Sequence, residues 1–366
     1  MKTDHDNNMV DYTFLGNSGL KVSNLCLGAM NFGKSTGTDF LSKAFGGPTQ
    51  ANEELSFQIL DKYAELGGNF IDTADVYSFG KSEEIIGDWL MLREREKFVI
   101  ATKVRSPMDL ENINNVGLSR RHIIQSAENS IRRLKTDYID LYQIHLWDDA
   151  VPIEETMRAM DDLIRSGKVR YFGVSNLTGW QLQKIVDIAK YKGLSPAISL
   201  QQNYNLMVRS AEVEAFKVCQ NEGIGVIPYS PLAGGLLTGK FKRGEELDPT
   251  TSRVGYSKAN NASFFDYPMD DKYWALIDEL KSIAEAKNKT IPQVSLRWVL
   301  QKDIVAAPII GATSVKQLES NMAAAKGWSL SQEEMKKLDD LSACKETYPY
   351  DLTYKFNFGR QNPYKK

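Results

Sequence analysis

The chain alternates eight times between a short apolar segment and a stretch that has the periodicity of an amphipathic helix. The apolar segments are nearly continuous, which is typical of strands covered on both faces in a parallel sheet. This alternation predicts an α/β fold, and a count of eight favours closure into a (β/α)8 TIM barrel. The alternative is an open doubly wound sheet, although no G-x-G-x-x-G motif follows the first strand. The segments are LCLGAM, NFIDTA, KFVIATKV, YIDLYQIH, VRYFGVSN, AISLQQNY, GIGVIPYS and IVAAPIIG.

Several segments lie outside this repeat. Residues 12–22 predict a β-hairpin that plugs the bottom of the barrel, and residues 233–271 predict a long polar loop after strand seven. Residues 331–366 predict one helix followed by an aromatic-rich tail. Residues 1–9 are polar and predict a flexible tail, so we expect residues 10–366 to form a single barrel domain.

The composition excludes several classes of protein. A net charge of −2 gives no general affinity for nucleic acid or for an anionic membrane, and no apolar run is long enough to cross a bilayer. Cys26, Cys219 and Cys344 are far apart and match no disulfide or metal-site spacing, which indicates a reducing, cytoplasmic setting. Of the three histidines only His145 remains for an interior site, which argues against a His-rich metallohydrolase; we expect no metal site.

Polar side chains stand at the ends of three consecutive predicted strands. Asp72 ends the second strand, Lys103 ends the third and His145 ends the fourth, while Tyr77 lies just beyond Asp72. In a barrel these strand ends converge on one face. Taken singly, each residue has an ordinary alternative role, as a helix cap, a solvated strand end, a core histidine or a packed tyrosine. Their joint position favours a functional site.

The chemistry of this set is consistent. A free tyrosine has a pKa of about 10, and a neighbouring ammonium group lowers it, so Lys103 would bring Tyr77 closer to proton transfer near neutral pH. Asp72 would hold Lys103 charged and in place, and His145 would orient a substrate oxygen. The sequence therefore predicts a site that protonates a carbonyl oxygen as charge develops on it.

The remaining strand ends carry amides and hydroxyls. Ser175 and Asn176, Gln201 and Tyr229 follow or end later strands, and together they suggest a seat for a planar carboxamide such as nicotinamide. Taken alone, each of these residues could instead form a structural hydrogen bond and have no part in binding.

Two later segments suit phosphate groups. Residues 234–240, GGLLTGK, fit most of a P-loop, but Phe241 replaces its magnesium-binding hydroxyl, which excludes a nucleoside triphosphatase. Their glycine-rich backbone and Lys240 can still bind a diphosphate. Residues 309–321 run from strand eight into a helix start, where Ser314 can also serve as a plain N-cap.

Eight motifs, which lie in order between about residues 12 and 341, resemble those of the aldo-keto reductases. The branch that they resemble most includes the aryl-alcohol dehydrogenases and the potassium-channel β-subunits. The resemblance implies a barrel that holds NAD(P)H across its mouth without a Rossmann domain. The motifs are LGNSGLKVSNLCLGAMNFG, FIDTADVYSFGKSEEIIG, VIATKV, RLKTDYIDLYQIHLWD, GKVRYFGVSN, QQNYNL, IPYSPLAGGLLTGK and IIGATSVKQLESN.

The resemblance also implies roles for individual residues. The catalytic tetrad would be Asp72, Tyr77, Lys103 and His145, with Tyr77 as the general acid for hydride transfer to a carbonyl carbon. The nicotinamide-binding residues would be Ser175, Asn176, Gln201 and the stacking ring of Tyr229. The diphosphate loop would be Ser230, Leu232, Gly234, Leu236 and Lys240. The adenosine-phosphate segment would be Gly311, Thr313, Gln317 and Asn321.

The sequence departs from the family pattern in places. Gln317 stands where many relatives have arginine, and Ser320 where many have an acid, which bears on the choice between NADPH and NADH. Lys316, Arg253 and Lys240 offer charge instead, so we expect NADPH as the cofactor, with NADH possible. We expect Phe32 and Trp147 to line the substrate pocket, together with the long first loop, residues 34–50, and the 342–366 tail.

The sequence supports two functions of different class. The first is a cytoplasmic NADPH-dependent reductase of small aldehydes or ketones, which needs no nucleic-acid or membrane partner. The alternative is a nicotinamide-binding, redox-sensing regulatory subunit with little turnover. The sequence assigns neither the physiological substrate nor the oligomeric state.

Overall fold

A computed structural model describes residues 9–34, 43, 47–260, 267–345 and 348–356 of the chain. Residues 1–8 of the predicted N-terminal tail, most of the long first loop and the end of the C-terminal tail lie outside these residues.

Eight parallel strands form a nearly closed barrel, and an antiparallel hairpin precedes them. The predicted strands are all present, and the order around the sheet is β10-β3-β4-β5-β6-β7-β8-β9. The (β/α)8 architecture predicted from the sequence is therefore confirmed. The strands are β1 (Tyr12–Phe14), β2 (Lys21–Ser23), β3 (Cys26–Gly28), β4 (Phe70–Asp72), β5 (Val99–Val104), β6 (Ile139–Ile144), β7 (Val169–Ser175), β8 (Ala197–Asn203), β9 (Gly225–Tyr229) and β10 (Ile309–Ile310).

The sheet curls so that its last strand approaches its first. Val226 of β9 donates its backbone amide to the carbonyl of Ile304 at 3.1 Å, and its carbonyl accepts from the amide of Ala306 at 2.8 Å. The segment that carries these two bonds leads directly into β10, which pairs with β3. Closure in this way leaves little free sheet edge.

Helices follow the strands and cover the outside of the barrel. None in the described part of the chain is both long and apolar enough to cross a membrane. The helices are α1 (Glu53–Glu65), α2 (Lys81–Leu90), α3 (Arg120–Arg133), α4 (Ile153–Arg165), α5 (Gly179–Lys192), α6 (Ala215–Glu222), α7 (Arg253–Ala259), α8 (Asp271–Lys287), α9 (Ile291–Leu300), α10 (Val315–Met322), α11 (Gln332–Leu341) and α12 (Tyr350–Phe356).

Side-chain caps explain several helix starts. Ser119 accepts a hydrogen bond from the amide of His122 at 3.3 Å and so caps α3, as its position in the sequence predicts. Thr290 and Gln293 form a reciprocal capping box at the start of α9. These bonds satisfy amides that have no partner inside the helix.

The hairpin of β1 and β2 closes one end of the barrel. Leu15 and Val22 are fully buried, and they pack in one cluster with side chains of the barrel strands such as Cys26, Phe70 and Leu141. Gly16 permits this approach, because a Cβ atom there would lie 2.5 Å from the carbonyl oxygen of Ile198. Because this cluster fills the interior at the hairpin end, the predicted plug is present.

Two segments contain more helix than the sequence predicts. The expected loop at residues 233–271 includes a 3-10 segment, Ala233–Thr238, and helix α7. The expected C-terminal tail includes α12. In the first case Ser252 caps α7 by accepting from the amide of Gly255 at 3.0 Å, a local signal that the polar composition of the loop hides.

Gly16→Ala tests the fit of the hairpin to the barrel. The φ of Gly16 is 59°, and the new methyl group would meet backbone atoms that cannot move aside. We therefore expect a loss of about 2–4 kcal/mol in the free energy of unfolding. Gly19→Ala in the same hairpin is the matched control, because nothing lies within 4 Å of the added Cβ. It should change stability by less than about 0.5 kcal/mol. Urea denaturation of both variants measures this, and equal stability would contradict the close fit.

Candidate active site

Strands β4, β5 and β6 bring three of the predicted residues to the same rim. Asp72 is the last residue of β4, Lys103 lies one residue before the end of β5, and His145 follows β6 directly. The register supports their proximity, since Asp72 pairs with Ala101 and Lys103 pairs with Gln143. These neighbouring strands run parallel, so their carboxyl ends face the same opening.

An unusual turn places Tyr77 above this rim. Tyr77 opens a 3-10 segment, Tyr77–Gly80, in which Ser78, Phe79 and Gly80 have φ values of 49°, 51° and 88°. The Ser78 hydroxyl fixes the turn by donating to the carbonyl of Phe32 at 3.0 Å. Positive φ values in non-glycine residues are costly and persist only where their surroundings hold them.

Lys103 and Asp72 form an ion pair that is almost completely out of water. Lys103 is fully buried, and its Nζ lies 2.5 Å from Asp72 Oδ1 and 2.7 Å from the carbonyl oxygen of Thr73. The side-chain amides of Gln143 and Gln201 donate to Asp72 Oδ2 at 3.0 and 2.8 Å. Both carboxylate oxygens are thus satisfied, as a buried charge requires. Burial alone lowers the pKa of Lys103, but Asp72 and Tyr77 raise it above its ordinary value.

The hydroxyl of Tyr77 is the third member of this group. It lies 3.4 Å from Lys103 Nζ, which also stands 4.9 Å from the centre of the tyrosine ring. The sequence predicts that Lys103 lowers the pKa of this hydroxyl. In the folded protein burial raises the pKa above its ordinary value, Lys103 opposes this shift and Asp72 adds to it. Burial outweighs the ammonium group, so the phenol stays protonated at neutral pH.

His145 is a neutral imidazole beside Tyr77. The two ring centres are 5.9 Å apart and the rings meet edge to face at 81°. Burial, together with the charges of Lys103 and Arg105, holds the pKa of His145 well below its usual range. Its Nδ1 atom is buried and has no hydrogen-bond partner among the residues that the structure describes.

A chain of hydrogen bonds ties the next strand ends together. Asn176 has a φ of 56°, and its side-chain NH2 donates to the carbonyl of His145 at 3.0 Å and to Ser175 Oγ at 2.9 Å. The hydroxyl of Tyr229 donates to Asn176 Oδ1 at 2.8 Å. These bonds fix the aromatic ring of Tyr229 at the rim, on the far side of Asn176 from His145.

One cavity of about 1190 Å³ unites most of the predicted residues. This volume exceeds the range of about 300–1,000 Å³ that is usual for small-molecule sites, and a long cofactor together with a substrate fits such a volume. The predicted residues that line it are Asp72, Tyr77, His145, Asn176, Gln201, Tyr229, Ser230, Leu232, Gly234, Lys240, Arg253, Gly311, Thr313, Gln317 and Asn321.

The loop after β9 suits an anionic group. Gly234 and Gly235 have φ values of 66° and 103°, and a Cβ atom on Gly235 would meet Lys240 Nζ at 3.3 Å. The ammonium group of Lys240 therefore lies against the glycine turn, and burial lowers its pKa. Arg253, at the start of α7, lines the same cavity.

Hydrogen bonds among its own residues hold the segment between β10 and α10 in place. Gln317 Oε1 accepts from the amide and the hydroxyl of Thr313 at 2.7 and 2.9 Å. Ser314 caps α10 by accepting from the amide of Gln317 at 3.2 Å, and Asn321 donates to the carbonyl of Gly311 at 3.3 Å. The side-chain carbonyl of Gln317 thus orders the loop, while Lys316 is exposed at the cavity wall.

Five predicted site residues do not line the cavity. Lys103 and Ser175 are fully buried, and Lys103 contacts Asp72 and Tyr77 while Ser175 contacts Asn176. Leu236 and Phe32 are also fully buried and pack into the hydrophobic core. Trp147 packs against Trp180, with its ring nitrogen donating to Asp149 at 2.9 Å. None of the five is among the described residues that line the cavity.

Other residues form the wall beside Tyr77 and His145. Met30 follows β3 closely, Arg105 and Ser106 follow β5, and Leu146 is the second residue after β6. None of these four residues was predicted from the sequence to belong to a site. The rule that strand ends meet at one rim could have found them, because each stands within two residues of a strand end.

Comparison with known proteins identifies relatives over almost the whole chain. The model of the Aldo/keto reductase family matches residues 24–343. An uncharacterized oxidoreductase of Bacillus subtilis, YrpG, is 36% identical over 91% of this chain and 96% of its own length. The norsolorinic acid reductase of Aspergillus flavus is 31% identical over 94% of this chain and 83% of its own. An aryl-alcohol dehydrogenase-like protein of Schizosaccharomyces pombe is 35% identical over 90% of this chain and 95% of its own length.

His145→Gln tests the neutral state of the imidazole. The unfolded chain binds a proton near the ordinary pKa of about 6.5, whereas folded His145 resists it, so stability falls as the pH drops through this range. The loss approaches about 1.4 kcal/mol per pH unit for one proton. The variant lacks this titration, and its free energy of unfolding should therefore fall less between about pH 7 and about pH 5.

Urea denaturation of both proteins at the two pH values measures the difference. His122 is present in both proteins, so its own titration cancels. The same pH dependence in variant and wild type would show that His145 titrates normally.

Proposed function

The chain belongs to the aldo/keto reductase family, and from this premise we propose that it reduces the carbonyl group of small aldehydes or ketones to an alcohol with NADPH. The observation that carries the proposal is the Tyr77 hydroxyl, which stands 3.4 Å from a fully buried ammonium group and lines a large cavity. This arrangement suits a proton donor that must become briefly negative.

The proposed proton transfer follows from the two neighbouring charges. Tyr77 is neutral at the start, because burial raises its pKa, so it has a proton to give. When it gives this proton to the substrate oxygen, the phenolate formed is stabilised by Lys103. Asp72 keeps Lys103 charged and in position. In the reverse direction the same pair would accept a proton from an alcohol.

His145 has a separate part in this proposal. As a neutral imidazole it can form a hydrogen bond with the substrate oxygen without bringing a second positive charge to the site. This leaves proton donation to Tyr77 and orientation of the carbonyl group to His145.

The cofactor is assigned to residues that fit its parts. A nicotinamide cofactor supplies the hydride when it is bound. Asn176, Gln201 and the fixed ring of Tyr229 offer hydrogen bonds and an aromatic face for a planar carboxamide. The glycine turn and Lys240 offer backbone amides and charge for a diphosphate. We place the protein in the cytoplasm, where this cofactor is available.

Tyr77→Phe tests the proton donor. It removes one hydroxyl group, and the rate of carbonyl reduction should fall by about 10²–10⁴-fold, since that is the usual contribution of a general acid. NADPH binding, measured by fluorescence titration, should persist. Tyr142→Phe is the matched control, because this buried tyrosine lies on β6 but outside the cavity lining.

The assay follows consumption of the reduced cofactor with a panel of aldehydes. Wild-type turnover no higher than that of Tyr77→Phe, with tight cofactor binding in both proteins, would refute the reductase. It would favour the redox-sensing regulatory subunit.

Lys316→Gln tests the preference for NADPH. Lys316 is exposed at the cavity wall, and an ammonium–phosphate contact there should strengthen binding of NADPH but not of NADH. We expect the dissociation constant for NADPH to rise by about tenfold, which corresponds to one charge-assisted hydrogen bond. Lys337→Gln on α11 is the control for net charge. An equal effect on both cofactors would contradict a phosphate contact.

A further inference from the structure

Arg105 lies on the cavity wall in a strained backbone conformation. It is the first residue after β5, and its φ is 148°, a region that favours glycine. The backbone amide of Gly117 donates to its carbonyl oxygen at 2.8 Å and fixes the turn. An arginine at such a position costs free energy in the backbone, which points to a use for its side chain.

The guanidinium group of Arg105 has no hydrogen-bond partner among the residues that the structure describes. Its Nε atom is buried without a hydrogen bond, and no residue in the described ranges forms an ion pair with this side chain. Asp72 is the only acidic residue among the described residues that line the cavity, and Lys103 already neutralises it. Arg105 is half-buried on the cavity wall, so a ligand that carries an anion would gain a charge-assisted contact by binding here.

Arg105 is separate from the cations assigned to the cofactor phosphates. Lys240 and Arg253 come from segments after β9, and Lys316 follows β10. In the ring of strands β5 lies opposite β9, with three strands between them in each direction. Arg105 stands on the side of His145, whose pKa its charge helps to lower, whereas the charge of Arg253 acts on Tyr77.

Apolar side chains also line this cavity. Pro107 and Leu110 follow Arg105 closely in the chain, and Leu146 follows His145 directly. They suit the hydrocarbon body of a substrate, while a planar guanidinium group suits a carboxylate, which it can bind through two parallel hydrogen bonds.

We propose that Arg105 forms an anion subsite for the substrate, so that the enzyme prefers apolar or aromatic carbonyl compounds that carry a carboxylate. This inference rests on the proposed function. Arg105 acts on specificity: it binds a part of the substrate that does not react, and the proton still comes from Tyr77.

The test compares acids with their uncharged esters. The substrates are 3- and 4-formylbenzoate and the methyl ester of each, assayed with NADPH. In the wild-type enzyme kcat/KM should be at least about tenfold higher for one of the acids than for its ester, as expected for a charge-assisted pair. Arg105→Gln should abolish this ratio, and Arg105→Lys should retain part of it. Arg158→Gln, an exposed arginine on α4, should leave the ratio unchanged.

Two further measurements show whether a folding defect or a change in cofactor binding causes the loss of the ratio. Arg105→Gly removes the charge and suits the positive φ, so this variant should fold as well as the wild type and also lose the ratio. The dissociation constant for NADPH should stay within about twofold in Arg105→Gln; a large rise would show that Arg105 binds the cofactor and would overturn the subsite.

The outcomes separate this inference from the proposed function. Equal use of acid and ester by the wild type would overturn the anion subsite and leave the reductase standing. If the wild type turns over none of these compounds, the proposed reductase function would be refuted. Calorimetric measurement of 4-formylbenzoate binding would then test whether the anion subsite exists. Binding to the wild type that weakens at least about tenfold in Arg105→Gln would support it, and equal binding to both would refute it.

Discussion

The ion pair between Lys103 and Asp72 constrains the whole centre of this barrel. Both groups lie out of water, where a single charge without a partner would cost several kcal/mol. The carboxylate is satisfied by one ammonium group and two side-chain amides, and these donors come from strands β5, β6 and β8. The pair therefore depends on the register of the sheet, and the position of Tyr77 above it depends on the pair.

Burial also sets the protonation states around the pair. The same removal from water keeps the phenol of Tyr77 protonated and the imidazole of His145 neutral. Tyr77 and His145 thus both carry no charge at neutral pH, while Lys103 stays positive because of Asp72. One physical effect, desolvation, assigns a different state to each group according to its partners.

Much of this arrangement could be predicted from the sequence. The (β/α)8 fold follows from eight alternating segments, and the convergence of Asp72, Lys103 and His145 follows from parallel strands whose ends share one rim. The net direction of the pKa shift of Tyr77 could not be predicted from the sequence, because it depends on how much water the folded cavity excludes. The strand-end rule could have placed Arg105 at the rim, but the lack of a partner for its side chain is visible only when the described neighbours are in place.

The hairpin at the opposite end has a consequence for the order of events in the cavity. Because Leu15 and Val22 fill the interior of the barrel at the hairpin end, the described residues leave the cavity to open at the rim where the strands end. If the proposed cofactor and substrate both bind in this cavity, the molecule that lies deeper would have to bind first and leave last. Such an order would require no moving part, because it follows from the filled end of the barrel.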